Sequence, residues 1–208
     1  MIRRLILAPI LYRLALDRPA RHIDSAGNEY LYRIFLAEHN GTRYYLHWFA
    51  GVDADRHTHS HPFDGLSIVL CGAYREEITD TLRYELYRLT NRDVGLATTV
   101  RTRRLWNRIP VDRYHRIIDA KRSTWTLFVA GPHRAPWFFA RTNAETTRLE
   151  FTAAESADAR WWESAPTLRE LLAKKSPGAN STGAKSASRR GCAAIVASIC
   201  PPSTTTCW

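Results

Sequence analysis

Along the chain, short runs rich in aromatic and branched apolar residues stand out from Glu29 to Trp137 against stretches of polar, turn-forming residues. Runs of this length and spacing predict an antiparallel barrel or sandwich rather than packed helices. The predicted strands are Tyr30 to Ala37, Arg43 to Phe49, Leu66 to Cys71, Tyr74 to Thr79, Leu82 to Leu89, Ala97 to Thr102, His115 to Asp119, Thr124 to Ala130 and Trp137 to Arg141. Between the first two, Asn40-Gly41 offers the pair of residues that tolerates positive φ at both central positions of a tight hairpin.

The two ends follow other patterns. Met1 to Leu16 is apolar but carries Arg3, Arg4 and Arg13. Arg13 interrupts the apolar run and no small-residue cleavage site follows, which argues against a signal peptide. The stretch is also too short and too charged to span a bilayer. It is expected to be an amphipathic segment lying on the barrel. Residues 153–175 hold Glu, Ala, Leu and the pair Trp161-Trp162, and Thr167 followed by Glu170 reads as a capping box opening a last helix. From Ser176 the composition turns to Ser, Thr, Gly, Ala, Lys and Pro, too poor in apolar surface to offset the entropy of ordering. The expected organisation is an N-terminal segment (1–28), a barrel (29–152), a helical extension (153–175) and a disordered tail (176–208).

Composition narrows the class. The 208 residues suffice for one well-cored domain. Nine Tyr, seven Trp and seven Phe against a single Met favour pleated surfaces, so the expected class is all-β with helical segments at both ends. The net charge of +10 comes from Arg spread through every segment. Such a surface attracts anions, but no zinc-finger spacing, recognition helix or Gly-rich phosphate loop supports a nucleic-acid partner. Cys71 falls in a predicted strand and Cys192, Cys200 and Cys207 in the tail, which is no disulfide framework, and a reducing cytoplasm is expected.

The chemistry concentrates in His57-Thr58-His59-Ser60-His61. On an extended chain alternate side chains share a face, so two consecutive members of this series can reach one ion inside a barrel. Imidazole suits Fe, Zn, Ni, Cu and Mn alike. His115, opening a strand after Ile109-Pro110-Val111-Asp112, is the candidate that closes the site.

The spacing Gly51, five residues, His57-x-His59, four residues, Asp64, then Gly72 resembles the first cupin motif, and Pro110-x-Asp112-x-x-His115 resembles the second. A longer set is similar to a group of bacterial and phage cupin-like proteins. It comprises His59-x-His61-Pro62-Phe63, Ser67 to Leu70, Gly72-x-Tyr74-x-Glu76, His115-Arg116, Trp125-Thr126-Leu127 and Gly131-Pro132. The resemblance implies a double-stranded β-helix, or jelly roll, holding one divalent metal. In the generic register the ligands are His57 and His59; in the second they are His59 and His61. Both add His115, and Asp64 is a further candidate.

Open positions on such an ion separate a catalytic metal from a structural one. Fe(II) with dioxygenase-type chemistry is the expected reading, with Zn, Ni or Mn as alternatives. Tyr45, His47, Ser67, Tyr114 and Trp125 are candidates to line the cavity, and Arg108 or Arg116 to clamp an anionic small molecule. Two other readings stay open: a non-catalytic ligand-binding or sensor barrel, and a metal-free barrel like the sugar-nucleotide epimerases, which use a His base and a Tyr acid. The resemblance also implies a homodimer.

Overall fold

The computed structural model describes residues 2–25, 28–51, 58–79, 98–142, 149–153 and 160–175. The predicted strand Leu82 to Leu89, His57 and residues 176–208 lie outside them.

Twelve strands form two six-stranded sheets among the described residues. The first sheet runs β1 (Ala20–Ser25), β2 (Asn28–His39), β3 (Thr42–Phe49), β10 (Thr124–Ala130), β5 (Gly65–Cys71), β8 (Trp106–Ile109). The second runs β12 (Leu149–Ala153), β11 (Phe138–Thr142), β4 (Thr58–His59), β9 (Tyr114–Ala120), β6 (Tyr74–Thr79), β7 (Thr98–Arg103). Every pairing is antiparallel. The chain alternates between sheets, as β5 to β6 and β9 to β10 show, so this is the all-β jelly roll that the resemblance implies.

Local chemistry accounts for the elements the sequence announced. β2 and β3 join through Asn40 and Gly41, whose φ values of 48° and 71° are those of the two central residues of a type I′ turn. Helix α2 (Leu168–Lys174) opens on the capping box, with the Thr167 side chain accepting from the Glu170 N–H and Glu170 reaching back to the Thr167 N–H. Four strands were not foreseen: β1, β4, β8 and β12. β1 falls within the segment expected to lie outside the barrel, and β8 runs up to Ile109, the first residue of the expected turn before His115. Ala20-Arg-His-Ile-Asp-Ser carries too few apolar residues to read as a strand, although Ala20 pairs with Ile34 and Arg21 with Arg33.

Strand parity divides the core in two. On the outer side of the first sheet, Tyr32, Ile34, Leu46, Trp48 and Trp125 pack with Ala8, Tyr12 and Ala15 of helix α1 (Ile2–Ala15) and with Leu168 of α2. Trp48 stacks on Trp125 at 5.6 Å between ring centroids, and Tyr12 meets Trp48 edge-on at 5.7 Å. The intervening residues face the second sheet: Leu31, Phe49 and Val69 meet Tyr74 and Ala120 there. Tyr45, Ile109, Phe128 and Ala130 form a further cluster on the inner side. None of the described helices is long and apolar enough to cross a membrane.

Candidate metal centre

The second sheet brings the histidines together. β4 is only two residues long, but it places His59 directly opposite His115 of β9 and opposite Phe139 of β11. Directly opposed side chains in an antiparallel pair lie close enough to share a ligand. His61, two residues on, is held by a fastened loop: the Ser60 N–H donates to Phe138 O and the Arg134 N–H to Pro62 O. His59, His61 and His115 each present a ring nitrogen such that all three lie within 4.8 Å of one another. His61 Nε2 and His115 Nε2 are 2.8 Å apart. An ion bound about 2.1 Å from two imidazole nitrogens at a right angle would set them about 3.0 Å apart. The cluster fits a metal.

Protonation favours the same reading. Burial, with the neighbouring His59 and His115, pushes His61 well below its ordinary range, so its imidazole is neutral. His115 Nδ1 lies 2.7 Å from Glu76 Oε1. Glu76 is wholly buried, and burial alone would raise its carboxyl; hydrogen bonds from His115, Asn107 and Arg103 outweigh this and bring it down to about 2. The carboxylate is therefore charged and can only accept, so Nδ1 of His115 donates to it, which leaves Nε2 on the side that faces His61. Carboxylates commonly orient metal-bound histidines in this way. Arg103 Nε donates to Glu76 Oε2 at 2.8 Å, and Asn107 Nδ2 donates to Glu76 Oε1 at 2.9 Å and to the Tyr74 hydroxyl at 3.2 Å. Glu76 belongs to the resembling pattern, but its position supporting His115 was not read from the sequence. The signal was there: it alternates with Tyr74 and Ile78 on a strand whose other side carries Arg75 and Glu77.

Above the histidines opens a cavity of about 430 Å³, lined among others by His59, His61, Tyr45, Phe63, Phe128 and Trp161. That size accommodates a small organic molecule.

Several candidates fall elsewhere. Asp64 is not among the gathered side chains; its carboxylate accepts from the Val111 N–H at 3.0 Å and pairs with Arg134. His57 lies outside the described residues. Tyr45 lines the cavity, whereas His47, Ser67 and Tyr114 are buried without lining it. Trp125 is on the outer side of its sheet, because its register partner is Trp48 while Thr126 partners His47. Arg108 is exposed and Arg116 pairs with Glu77, so neither serves the cavity; Arg21, Arg33 and Arg43 line it instead.

No protein-family description matches the chain, and no curated protein does. Solved structures that it resembles include Fe(II)-HppE with an alternative substrate, at 11% identity and a TM-score of 0.39 over 55% of this chain and 56% of that one. Another is an oxalate decarboxylase variant of Bacillus subtilis, at 14% identity and a TM-score of 0.40 over 56% of this chain and 28% of that one. A third is a cupin-superfamily sugar phosphate isomerase of Silicibacter pomeroyi, at 13% identity and a TM-score of 0.36 over 67% and 88%. The chain thus spans about half the length of the first and little more than a quarter of the second.

Proposed function

We propose that this chain is a metal-dependent enzyme of cupin type, holding one divalent transition metal through His59, His61 and His115 and acting on a small molecule admitted by the cavity. The observation that carries the reading is the convergence of three ring nitrogens within 4.8 Å, with His115 turned toward His61 by a buried, ionised Glu76. Three neutral protein ligands leave further positions open on the ion. Fe(II) is the metal favoured here, and when bound it would supply dioxygenase-type chemistry.

The chain's own residues would do the rest. Glu76 holds the His115 proton on Nδ1, and Asn107 and Arg103 hold Glu76. Phe63, Phe128 and Trp161 give the cavity apolar walls that keep bulk water from a bound ligand. A metal-free reaction would need one His near one Tyr and gives no reason for three imidazoles at this separation.

The test is elemental analysis of the purified, untagged protein by inductively coupled plasma mass spectrometry, beside His59→Ala and His115→Ala. The expected result is about one equivalent of iron, lost in both variants. Wild-type metal content in either variant would refute the site, and zinc, nickel or manganese in place of iron would refute the dioxygenase reading.

A further inference from the structure

Helix α1 is apolar on two opposite sides, and the barrel covers one of them. Ala8, Tyr12 and Ala15 pack on the outer side of the first sheet with Trp48 and Trp125. Ile6 and Ile10 precede Ala8 and Tyr12 by two residues each, which at 3.6 residues per turn sets them on the far side of the helix, and Leu14 continues their row. These three, with Leu5, are 49% to 64% exposed. Large apolar side chains gathered on the surface in this way mark an interaction site.

Trp106 extends the same side of the molecule. On β8, Asn107 and Ile109 are buried toward the second sheet, so Trp106 and Arg108 project outward, and Trp106 is 62% exposed. β8 pairs with β5, the strand on which α1 packs.

Charge decides which partner fits. The sequence of α1 carries Arg3, Arg4 and Arg13, and no acid stands between Met1 and Leu16. Arg13 and Arg18 are exposed, and Asp17, the next acid in the chain, pairs with Arg169. Packing α1 of a second copy on this face would oppose like charges with no carboxylate in either helix, in a chain whose net charge is already +10. An anionic lipid surface offers both halves of a match: acyl chains for the apolar row, and headgroups that Arg reaches while its stem lies among apolar groups. At 14 residues the helix is about 21 Å long, short of the roughly 30 Å hydrocarbon core, so it suits the plane of the surface rather than a crossing.

We propose that the outward face of α1, flanked by Trp106, docks on a membrane surface containing anionic phospholipid. The cavity lies on the inner side of the first sheet, so this contact neither uses nor needs the metal.

Flotation of the full chain with vesicles of phosphatidylcholine, alone or with about 30% phosphatidylglycerol, tests this. We expect binding to the mixed vesicles that falls as salt is raised, and roughly tenfold weaker binding to phosphatidylcholine alone. Ile6→Gln, Ile10→Gln and Leu14→Gln combined keep helix propensity and should weaken binding roughly tenfold or more with metal content unchanged. Arg13→Gln should weaken it roughly fivefold, while Val100→Ser, at an exposed apolar position of the second sheet, should not change it. No binding to the mixed vesicles, or equal binding to both kinds, overturns the inference on the wild-type protein alone. Binding undiminished in the triple variant assigns it to the general positive charge and refutes α1 as the docking face. A wild-type dimer in sedimentation velocity that the triple variant reduces to a monomer assigns the face to a second copy and refutes the membrane.

Discussion

Glu76→Gln is the sharpest test of how the histidine centre is held. The change keeps shape and removes one charge. In the native protein Oε1 accepts from His115 Nδ1 at 2.7 Å and from Asn107 Nδ2 at 2.9 Å, while Oε2 accepts from Arg103 Nε at 2.8 Å. A glutamine oxygen can serve the first two donors, but its NH2 then faces the Arg103 N–H, donor against donor. Turning the amide over moves the conflict to His115 and Asn107. Glu76 is fully buried and the Arg103 side chain 17% exposed, so the charge left behind is poorly solvated. Breaking a buried pair from one side costs about 3–5 kcal/mol, which for a domain of this size lowers Tm by roughly 10 °C. Loss of an orienting carboxylate should also weaken the metal about 10–100-fold. Thermal unfolding followed by circular dichroism, with metal affinity from chelator competition, reads both effects. Adding Arg103→Met should recover part of the lost stability, because the donor conflict disappears, without restoring metal affinity. A Glu76→Gln protein that melts within about 1 °C of wild type and binds metal equally well would refute the account.

Asp64→Asn should leave metal content unchanged by elemental analysis, because the Asp64 carboxylate is engaged by the Val111 N–H and Arg134; a loss like that of His59→Ala would return Asp64 to the ligand set. Gly72→Ala should destabilise by about 1–3 kcal/mol in denaturant melts, since φ is +84° and an added Cβ would sit 2.3 Å from Thr124 Oγ1, which itself donates to Lys121 O. A neutral result would show that the β5–β6 corner yields easily. Thr167→Ala should cost about 1 kcal/mol through the lost cap on α2, visible in Tm but not in metal content, and a change in metal content would mean that α2 acts on the site.

The parts of this protein legible in its sequence are those governed by neighbours along the chain. Asn40-Gly41 reads as a hairpin because positive φ is a property of the residues themselves, and Thr167 with Glu170 reads as a cap because both partners lie within one turn. The long aromatic strands declare themselves by composition. β1 did not, because part of its inner side belongs to the cavity and carries Arg21 where a core strand would carry an apolar residue. β4 did not, because two residues carry no period.

For the site, alternate histidines on an extended segment state that several can face one way, and that much needs only the period of a strand. Which of them meet His115, and which acid supports them, depends on pairings between segments some forty or more residues apart. The register of β4 on β9 sets His59 against His115, and the register of β6 on β9 brings Glu76 to Nδ1 where Asp64 was the nearer acid in sequence. Likewise Trp125 turned outward and Thr126 inward once β10 paired with β3, since a shift of one residue would exchange the two faces. Arg21 and Arg33 look like two more scattered charges in the chain and become neighbours only when β1 lies beside β2. Sequence alone determined the kinds of side chain available and their local conformations; cross-strand register, a property of distant segments packed together, decided which of them share a cavity.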